Sequence, residues 1–364
     1  MSEFLLRLKN EIHINYNNCY PNRDVIPRVS FDVSLRKRIK CFFEKLLPFI
    51  TFQSREDKFL ADIEKEVKIS QLEQIYNLLN DQYSKDLFVK LVAMKVLRHR
   101  MILPVEKASE WQKYYELDSQ LKNAPTVSIE GKKFVLYNLK DYGYNIELYE
   151  KVTYAVFMEF IMKQYEYRHT IPKIKVSAGD YVIDGGAYVG DTSLYFAHEA
   201  GKEGKVFSFE FLKEGLETMK VNLSKNPKYA PQIQIVQNAL WKNSQEKLYV
   251  SGSGAGTKVS MQKNGKYNDI VSTLSIDDFV ESNKIEKIDF IKLDIEGAEL
   301  EALYGAKNVI TKFKPKLAIC IYHDFKHYYS VPEYINSLKL GYKFYVDHFS
   351  ASEFETILFA EADK

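Results

Sequence analysis

The chain has 364 residues, and its 51 Lys and Arg nearly balance its 49 Asp and Glu, which gives a formal net charge of +2. Balanced charge provides no broad surface for a polyanion, so nucleic acid is not an expected partner. The sequence contains no apolar run of about 18 residues, the length that a transmembrane segment needs. The charged start, M-S-E-F-L-L-R, lacks the apolar core of a secretory signal, and three unpatterned cysteines, Cys19, Cys41 and Cys320, indicate reduced thiols. These features predict a cytoplasmic protein.

The first 125 residues predict a mainly helical N-terminal region. Apolar side chains recur at helical spacing in Leu60–Val67, Leu72–Leu79 and Leu87–Leu97. From Asp32 to Pro48, apolar residues are interspersed with Arg and Lys, which is typical of an amphipathic helix. Such a helix packs on its own domain or lies on an anionic membrane surface. Peripheral membrane contact and a homo-oligomer contact both remain open for this region.

Residues 126–173 are predicted to form a strand pair and a connecting helix. Thr126–Ile129 and Phe134–Tyr137 lie on either side of Gly131, which favours a hairpin. The helix is predicted from Glu147 to about Tyr167. Because a residue before proline disfavours the helical conformation, Ile171-Pro172 marks a boundary, and residues 174–364 form the third region.

A glycine-rich turn follows the first apolar strand of that third region. Asp180–Ile183 reads as a buried parallel strand, and a helix can begin at Thr192. Glycine in such a turn permits positive φ and the close approach of a ligand. The order Asp-x-Gly-x-x-x-Gly differs from the dinucleotide pattern, and an acid at this point repels phosphate but attracts an ammonium group. The turn therefore favours S-adenosylmethionine, with a predicted cofactor-binding set of Asp184, Gly185, Gly186, Ala187, Gly190 and Thr192.

The next two strands supply further candidates for the cofactor site. Val206–Phe209 ends at Glu210, which has the spacing expected for an acid that binds two ribose hydroxyls. A third strand, Ile233–Val236, leads to Asn238 and Ala239, where an amide and exposed backbone could meet the adenine edge. Asparagine after a strand is also an ordinary turn residue, so this second assignment is the softer one.

A cluster of carboxylates follows the fourth strand, Ile288–Leu293. Asp294, Glu296 and Glu299 crowd its carboxyl end, and close carboxylates repel one another unless a cation, a donor or a raised pKa relieves them. The cluster is therefore predicted to be functional. The alternative is that Glu296 and Glu299 stabilise the N-terminus of a helix that begins near Gly297.

The fifth strand, Lys316–Ile321, leads to His323, at the position where an α/β enzyme would hold a general base. Gly341–Val346 and Thr356–Phe359 alternate as strands and fit a closing antiparallel pair. The loop between them contains His348, a second candidate base.

The succession D-G-G-A-Y-V-G-D-T, F-S-F-E, N-A-L-W, K-L-D-I-E-G-A-E and C-I-Y-H resembles the FkbM-type methyltransferases over roughly residues 171–360. These are S-adenosylmethionine-dependent enzymes with an α/β, class I, Rossmann-like fold of seven strands. They typically methylate hydroxyls of sugars and of polyketide or other secondary metabolites. The resemblance implies that Asp184, Gly186, Gly190 and Glu210 bind the cofactor, and that Asp294, Glu296, Glu299 and His323 line the reacting face.

The sequence thus predicts an O-methyltransferase whose acceptor is a small molecule or a glycan. Removal of the acceptor proton would fall to His323 or Asp294. Alternatively, the carboxylates could bind Mg²⁺, which would lower the pKa of the hydroxyl. Two other classes stay open. One is a Rossmann-type NAD-dependent oxidoreductase, which Asp184 and Tyr188 argue against, and the other is an inactive methyltransferase-like scaffold.

Overall fold

The structure is a computed structural model that describes residues 2–16, 69–97, 101, 103, 108–252, 257–263 and 267–363. The predicted amphipathic helix Asp32–Pro48 and the periodic segment Leu60–Val67 lie outside the described residues. The chain divides into two units: one comprises Met1–Ala108 with Ser350–Phe354, and the other comprises Ser109–Phe349 with Glu355–Lys364. The region boundary that the sequence predicts near residue 173 is not tested by this division and stays a prediction.

The described part of the first unit contains the helices α1 (Glu3–Tyr16), α2 (Ile69–Leu78) and α3 (Gln82–Leu97). The helical spacing predicted for the segments after residue 72 and after residue 87 is confirmed. Phe4 packs against Tyr76 and Phe88, with ring centroids 5.3 and 6.2 Å apart. The guanidinium of Arg7 donates to the Tyr76 hydroxyl at 2.9 Å, which ties α1 to α2. Among the described helices of the chain, none is long and apolar enough to cross a membrane.

The second unit contains the remaining elements. In chain order they are α4 (Ala108–Ser119), β1 (Thr126–Ile129), β2 (Lys132–Asn138), β3 (Glu147–Glu150), α5 (Thr153–Val156), β4 (Tyr181–Gly185), α6 (Asp191–Ala200), β5 (Lys205–Phe209), α7 (Lys213–Lys225), β6 (Ile233–Val236), β7 (Ala239–Leu240), β8 (Lys247–Ser251), β9 (Lys258–Ser260), β10 (Asp269–Leu274), α8 (Ile276–Ser282), β11 (Phe290–Leu293), α9 (Glu299–Tyr304), α10 (Lys307–Phe313), β12 (Lys316–Cys320), α11 (His327–Ser337), β13 (Tyr342–His348) and β14 (Thr356–Ala362).

The main sheet has seven strands in the order β13-β14-β12-β11-β4-β5-β6. β4, β5, β6, β11 and β12 are parallel, whereas β14 is antiparallel to β12 and β13. The predicted strands and the closing antiparallel pair are confirmed. Val182, Ile183 and Ile291 are fully buried, as expected of parallel strands that are covered on both faces. The strand order reverses at β4, which pairs with β5 on one side and β11 on the other, and a crevice at such a point is where ligands of open α/β sheets bind.

The predicted hairpin across Gly131 is confirmed, but the predicted helix from Glu147 is wrong at its start. β3 pairs antiparallel with β2, so that β1, β2 and β3 form a small sheet. The helical part is shorter, because α5 continues only as a π-helical turn over Phe157–Met162. The reason lies at the C-terminal end of α7, where Asn222 and the next residue after the helix, Asn226, accept hydrogen bonds from the backbone N–H groups of Tyr149 and Glu147 at 2.7 and 3.1 Å. These tertiary bonds stabilise an extended backbone that local propensity did not indicate.

A second small sheet, with the order β7-β10-β8-β9, lies after β6 in the chain. Helix α8 follows it, and Ser275 caps this helix by accepting a hydrogen bond from the Asp278 N–H at 3.1 Å. Serine at this position satisfies a free N–H group at the start of the helix. The two small sheets place β3 and β8 beside the carboxyl edge of the main sheet.

Candidate functional site

A cavity of about 490 Å³ lies within the second unit at the carboxyl ends of β4, β5 and β11. Seven predicted site residues line it: Gly186, Thr192, Glu210, Asn238, Ala239, Asp294 and Glu296. Six others lie behind its wall rather than on it: Asp184, Gly185, Ala187, Gly190, Glu299 and His323. The predicted cofactor-binding and reacting residues therefore lie close together. Some of them line the cavity, and the others support the residues that line it.

Asp184 belongs to the supporting group. Its carboxylate is fully buried and accepts hydrogen bonds from the hydroxyls of Thr192 and Ser193, both at 2.7 Å. Its second oxygen lies 3.1 Å from Nζ of Lys292, whose side chain is only 1% exposed. Burial lowers the pKa of that lysine, but Asp184 and the other nearby carboxylates outweigh burial and raise it overall. The expected role of Asp184 as a direct partner of a ligand ammonium group therefore has no support in its surroundings.

Sequence reasoning missed Lys292, although its position was informative. A lysine inside the apolar run F-I-K-L cannot reach solvent if the run is a central strand, so it needs a buried partner. Its Nζ donates to the carbonyl oxygens of Gly185 and Gly186, each at 2.9 Å, in addition to the Asp184 contact. Lys292 thus fixes the end of β4 and the start of the glycine turn from the neighbouring strand.

The glycine turn is shaped by close approach of backbone to backbone. Gly186 has φ +79°, and a Cβ atom there would lie 1.9 Å from the carbonyl oxygen of Asp294. The N–H groups of Gly186 and Ala187 both donate to the Phe209 carbonyl, at 3.0 and 3.1 Å. At Gly190, with φ +83°, a Cβ would meet Met219 Cγ at 2.7 Å. Glycine is required at both positions because the turn packs closely against the end of β11 and against α7. The amides of Gly186 and Ala187 bond to the end of β5, so they are not available to bind a phosphate.

Glu210 faces the cavity as the spacing predicted. It is 5% exposed, and its Oε1 accepts hydrogen bonds from the N–H groups of Phe211 and Leu212, each at 2.6 Å. Burial raises the pKa of this carboxyl, and the backbone donors oppose that rise. Next to it, the Asn238 amide donates to the Ser272 carbonyl at 3.1 Å, and Leu240 adds apolar wall. This end of the cavity offers a charged acceptor beside an apolar surface, which suits a nucleoside.

Three further carboxylates line the middle of the cavity and were not predicted. Glu150 ends β3, Glu159 lies in the π-helical turn, and Asp191 begins α6. All three are buried, with exposed fractions of 0%, 5% and 7%. Asp191 lies within the motif D-G-G-A-Y-V-G-D-T, so the sequence could have identified it as a candidate site residue. Glu150 and Glu159 gave none, because the segment was predicted as one continuous helix.

The other end of the cavity is built around Asp294. Its two oxygens accept hydrogen bonds from the hydroxyls of Tyr165, at 3.0 Å, and Tyr322, at 3.2 Å. Burial raises the pKa of both tyrosines, and the negative charge of Asp294 adds to that rise, so they remain donors. The carboxylate is therefore held in one orientation at the carboxyl end of β11. Glu355, whose carboxyl also lines this end, has its pKa raised to about 8 by burial and by Asp294.

His323 lies behind Asp294 and is surrounded by carboxylates. Its Nδ1 is 2.9 Å from Glu299, and its Nε2 is 3.4 Å from Glu296 and 3.5 Å from Asp294. Burial opposes protonation of the ring, but these three groups overcome it and raise the pKa of His323 to about 9. At neutral pH the ring is therefore an imidazolium, which cannot accept a proton from an acceptor hydroxyl.

Glu299 has a structural place under the D-I-E-G-A-E loop. It is fully buried, and its Oε1 accepts hydrogen bonds from the N–H groups of Ile295 and Gly297 at 2.9 and 3.3 Å. Burial acts to raise its pKa, but close contacts with His323 and His327, at 2.9 and 3.2 Å, outweigh burial and hold the pKa far below its usual value. Glu299 therefore stabilises the loop and contacts the two histidines. This agrees with the alternative interpretation of the residue as a carboxylate at the start of a helix.

Glu296 presents its carboxyl to the cavity, with a third of the side chain exposed. Its backbone has φ +56°, a left-handed conformation that ordinary residues seldom adopt and that is often held at functional sites. Burial raises the pKa of Glu296 to about 7, with Asp294 and Glu299 adding to the rise and His323 opposing it. A carboxyl with such a pKa exchanges a proton near neutral pH.

One oxygen or nitrogen atom from each of Asp294, Glu299 and His323 lies within 4.8 Å of the others, a spacing compatible with a cation. The chemistry does not fit Mg²⁺, which prefers oxygen ligands and usually retains several waters. Glu299 already accepts two backbone hydrogen bonds and faces two histidines, and the ring of His323 is protonated. We therefore derive no step through a metal from these residues.

The second candidate base, His348, ends β13 rather than lying in a loop. Its Nδ1 is 2.9 Å from the Thr356 hydroxyl on β14, and the residue does not line the cavity. Its contacts join the closing strand pair.

The strand order and the cavity at the carboxyl edge of β4 define the class I S-adenosylmethionine-dependent methyltransferase fold. Residues 184–344 match the family model of the methyltransferase FkbM domain. The resemblance to the FkbM-type methyltransferases that was found in the sequence is thus confirmed over these residues. The alternative of an NAD-dependent oxidoreductase finds no support in this match.

A solved structure with a TM-score above 0.5 shares this fold. A methyltransferase FkbM from Methylobacillus flagellatus KT aligns with 82% of this chain at 20% identity and a TM-score of 0.52, and the alignment spans 60% of the length of that protein. Fibrillarin from Aeropyrum pernix, with natively bound S-adenosyl-L-methionine, aligns with 66% of this chain and 83% of its own at 12% identity and a TM-score of 0.36. A putative O-methyltransferase from Klebsiella pneumoniae aligns with 70% and 90% of the two chains at 8% identity and a TM-score of 0.34. No curated protein matches the sequence.

Proposed function

We propose that the chain is an S-adenosylmethionine-dependent O-methyltransferase that methylates a hydroxyl of a sugar, a glycan or a secondary metabolite. The observation that carries the proposal is a single cavity that joins Glu210, at its nucleoside-like end, to the carboxylates Asp294 and Glu296 at the other end. The FkbM family match adds support for the cofactor. We place the activity in the reducing cytoplasm, in keeping with the buried free thiol of Cys320.

The residues present fit an adenosyl cofactor. Glu210 would accept hydrogen bonds from the two ribose hydroxyls, and Asn238, Ala239 and Leu240 would line the adenine. When bound, S-adenosylmethionine supplies an electrophilic methyl group for in-line displacement by the acceptor oxygen. The protein contributes chiefly by holding the acceptor in line, and such orientation can lower a barrier by roughly 7–11 kcal/mol.

We assign the role of general base to Glu296. Each oxygen of Asp294 already accepts a tyrosine hydroxyl, and His323 is protonated, so neither is as well placed to take a proton. Glu296 has one charged contact, to His323 at 3.4 Å, and its pKa of about 7 suits proton transfer near neutral pH. The imidazolium of His323 then stabilises the ionised Glu296 and positions it.

The acceptor end of the cavity favours a neutral polyhydroxylated molecule over an anionic one. The carboxyls of Asp294, Glu296 and Glu355 converge there, and an anionic phosphate or carboxylate beside them would raise their pKa values further, at a cost in free energy. Sugar hydroxyls can donate to these carboxyl oxygens. Tyr165 and Tyr322 supply ring surface next to the same carboxylates, which suits the apolar face of a sugar ring.

The cofactor assignment is tested by calorimetry with S-adenosylhomocysteine and NAD. We expect S-adenosylhomocysteine to bind much more tightly than NAD. Glu210→Ala should weaken its binding by roughly 1.5–3 kcal/mol, the value of hydrogen bonds to a charged group. Equal affinity of wild type and variant would remove Glu210 from the site, and a wild type that binds neither ligand would overturn the proposal.

The reaction itself is tested with methyl-labelled S-adenosylmethionine in cell extracts, followed by mass spectrometry for labelled products. A label in a methyl ether supports O-methylation, whereas a label on nitrogen or carbon contradicts it. Cofactor binding with no labelled product in any extract would instead support the inactive scaffold. Glu296→Gln serves as the control, because its cofactor binding should be retained while product formation falls by roughly 10²–10⁴-fold.

A further inference from the structure

Two buried carboxylates in the middle of the cavity each have an oxygen without a hydrogen-bond partner. Oε1 of Glu150 accepts from the backbone N–H groups of Lys151 and Val152, at 2.6 and 3.3 Å, but Oε2 has none. Oε1 of Glu159 accepts from the Gln164 amide at 2.7 Å, and again Oε2 has none. Both side chains line the cavity, and leaving such an oxygen unpaired in a buried site costs free energy.

Asp191 lies close enough to both to interact electrostatically. One of its oxygens accepts a hydrogen bond from the Thr192 N–H at 2.9 Å, and the carboxyl lines the same part of the cavity. Three separate elements therefore bring carboxyls to one place. Asn222 fixes β3 there, since its amide donates to the carbonyls of Tyr149 and Val189 at 3.0 and 2.9 Å and so joins β3 to the glycine turn.

The lysines of the cavity wall do not neutralise this group, because other carboxylates hold them. Nζ of Lys151 pairs with Glu214, which also accepts the Tyr188 hydroxyl at 2.6 Å. Nζ of Lys292 pairs with Asp184 and donates to two backbone carbonyls. This part of the cavity thus gathers three carboxyl groups, and the two nearby lysines are already paired with other carboxylates.

We propose that Glu150, Glu159 and Asp191 together bind the α-ammonium group at the amino-acid end of the cofactor. This inference rests on the proposed function, which supplies the adenosyl amino acid. It moves the role that the sequence suggested for Asp184 to three residues that face the cavity. The strand order β5-β4-β11 places Asp191, which follows β4, between Glu210 and Asp294. This agrees with the order of groups in an adenosyl amino acid, in which the ribose separates the base from the sulfur and the ammonium.

A proton should leave the site when the ligand binds. Burial and the charge of Asp191 raise the pKa of Glu150 to about 8, so this carboxyl holds a proton at neutral pH, and they raise the pKa of Glu159 well above its usual value. Burial raises the pKa of Asp191 to about 6. A bound ammonium group favours the ionised carboxylates, which lowers these pKa values and releases protons. Five other charged or titratable groups interact with the three carboxylates: Lys151, Asp184, Tyr188, Lys292 and Glu355.

The experiment compares two ligands in titration calorimetry on the full chain. S-adenosylhomocysteine carries the ammonium group, and 5′-methylthioadenosine carries the nucleoside without it. Glu150→Gln, Glu159→Gln and Asp191→Asn keep the shape of each side chain and the backbone-facing acceptor but remove the charge. We expect each variant to lose about ten- to hundredfold in affinity for S-adenosylhomocysteine and to keep its affinity for 5′-methylthioadenosine. Glu210→Gln is the matched control and should weaken both ligands.

Proton exchange gives a second measurement, which needs no variant. Titrations of the wild type at neutral pH, in buffers of different ionisation enthalpy, should show proton release with S-adenosylhomocysteine and less with 5′-methylthioadenosine. Three results would overturn the inference: unchanged affinity in all three variants, equal weakening of the two ligands, or no proton release in the wild type. The proposed function survives each of these as long as the wild type binds S-adenosylhomocysteine. Failure of the wild type to bind either ligand would end both.

Discussion

Replacing Lys292 by methionine should destabilise the second unit strongly while changing little of its shape. Methionine fills a similar volume but leaves Asp184 charged and buried, and it removes the donor of two backbone carbonyls at 2.9 Å. Breaking a buried ion pair by removing one partner costs about 3–5 kcal/mol. We therefore expect Lys292→Met to lower the free energy of unfolding by about that amount.

The assay is urea unfolding followed by tryptophan fluorescence. Both tryptophans of the chain, Trp111 and Trp241, lie in the second unit, so the signal reports on that unit. Lys343→Met is the control, because Lys343 pairs with Asp363 at 3.0 Å on an exposed surface, where an ion pair changes the free energy of unfolding very little. The double variant Asp184→Asn, Lys292→Met should recover part of the loss, since both charges leave together. A loss within about 1 kcal/mol for Lys292→Met would refute the reasoning.

Other consequences can be measured independently. Gly186→Ala should lower Tm more than Gly190→Ala does, although the two glycines have similar φ. A Cβ at residue 186 would lie 1.9 Å from the Asp294 carbonyl oxygen, whereas a Cβ at residue 190 would meet only the flexible side chain of Met219. Equal losses of Tm in the two variants would contradict this reasoning. The pH profile of kcat/KM should be bell-shaped, with limbs near pH 7 and pH 9, and Glu296→Gln should abolish the lower limb. Protonated His323 stabilises the fold, and this stabilisation is complete below the unfolded pKa of about 6.5. His323→Gln should therefore lower the free energy of unfolding by up to about 3 kcal/mol at pH 6, and the loss should disappear as pH rises through 9. A loss that does not depend on pH would exclude the ion pairs as its source. EDTA should leave turnover unchanged, and loss of activity restored by Mg²⁺ would reverse our reading of the carboxylates.

The central fold was predictable because each buried parallel strand can be recognised in the sequence as an apolar run with a polar residue or glycine at its end. β4, β5, β11 and β12 were located in this way, and the closing pair β13 and β14 showed alternation. The segment after Glu147 was not predictable for a physical reason. Its strand is stabilised by two asparagine side chains at the C-terminal end of α7, about 75 residues further along the chain. Local propensity contains no information about partners that distant in sequence.

The candidate site shows a different limit. Motif residues such as Asp184 and Glu299 were recognised by pattern, yet both are fully buried and serve to hold the turn and the loop in place. A recognisable motif marks where the backbone must take one shape, because strict spacing is needed when strands and turns pack within van der Waals contact. Groups that only need to face a ligand can come from any element that reaches the cavity, as Glu150 and Glu159 do from a strand and a π-helical turn. The spacing of a motif can therefore locate a binding site without identifying the side chains that bind. In this protein Glu150 and Glu159 belong to no motif that the sequence showed, so only the three-dimensional structure places them at the cavity.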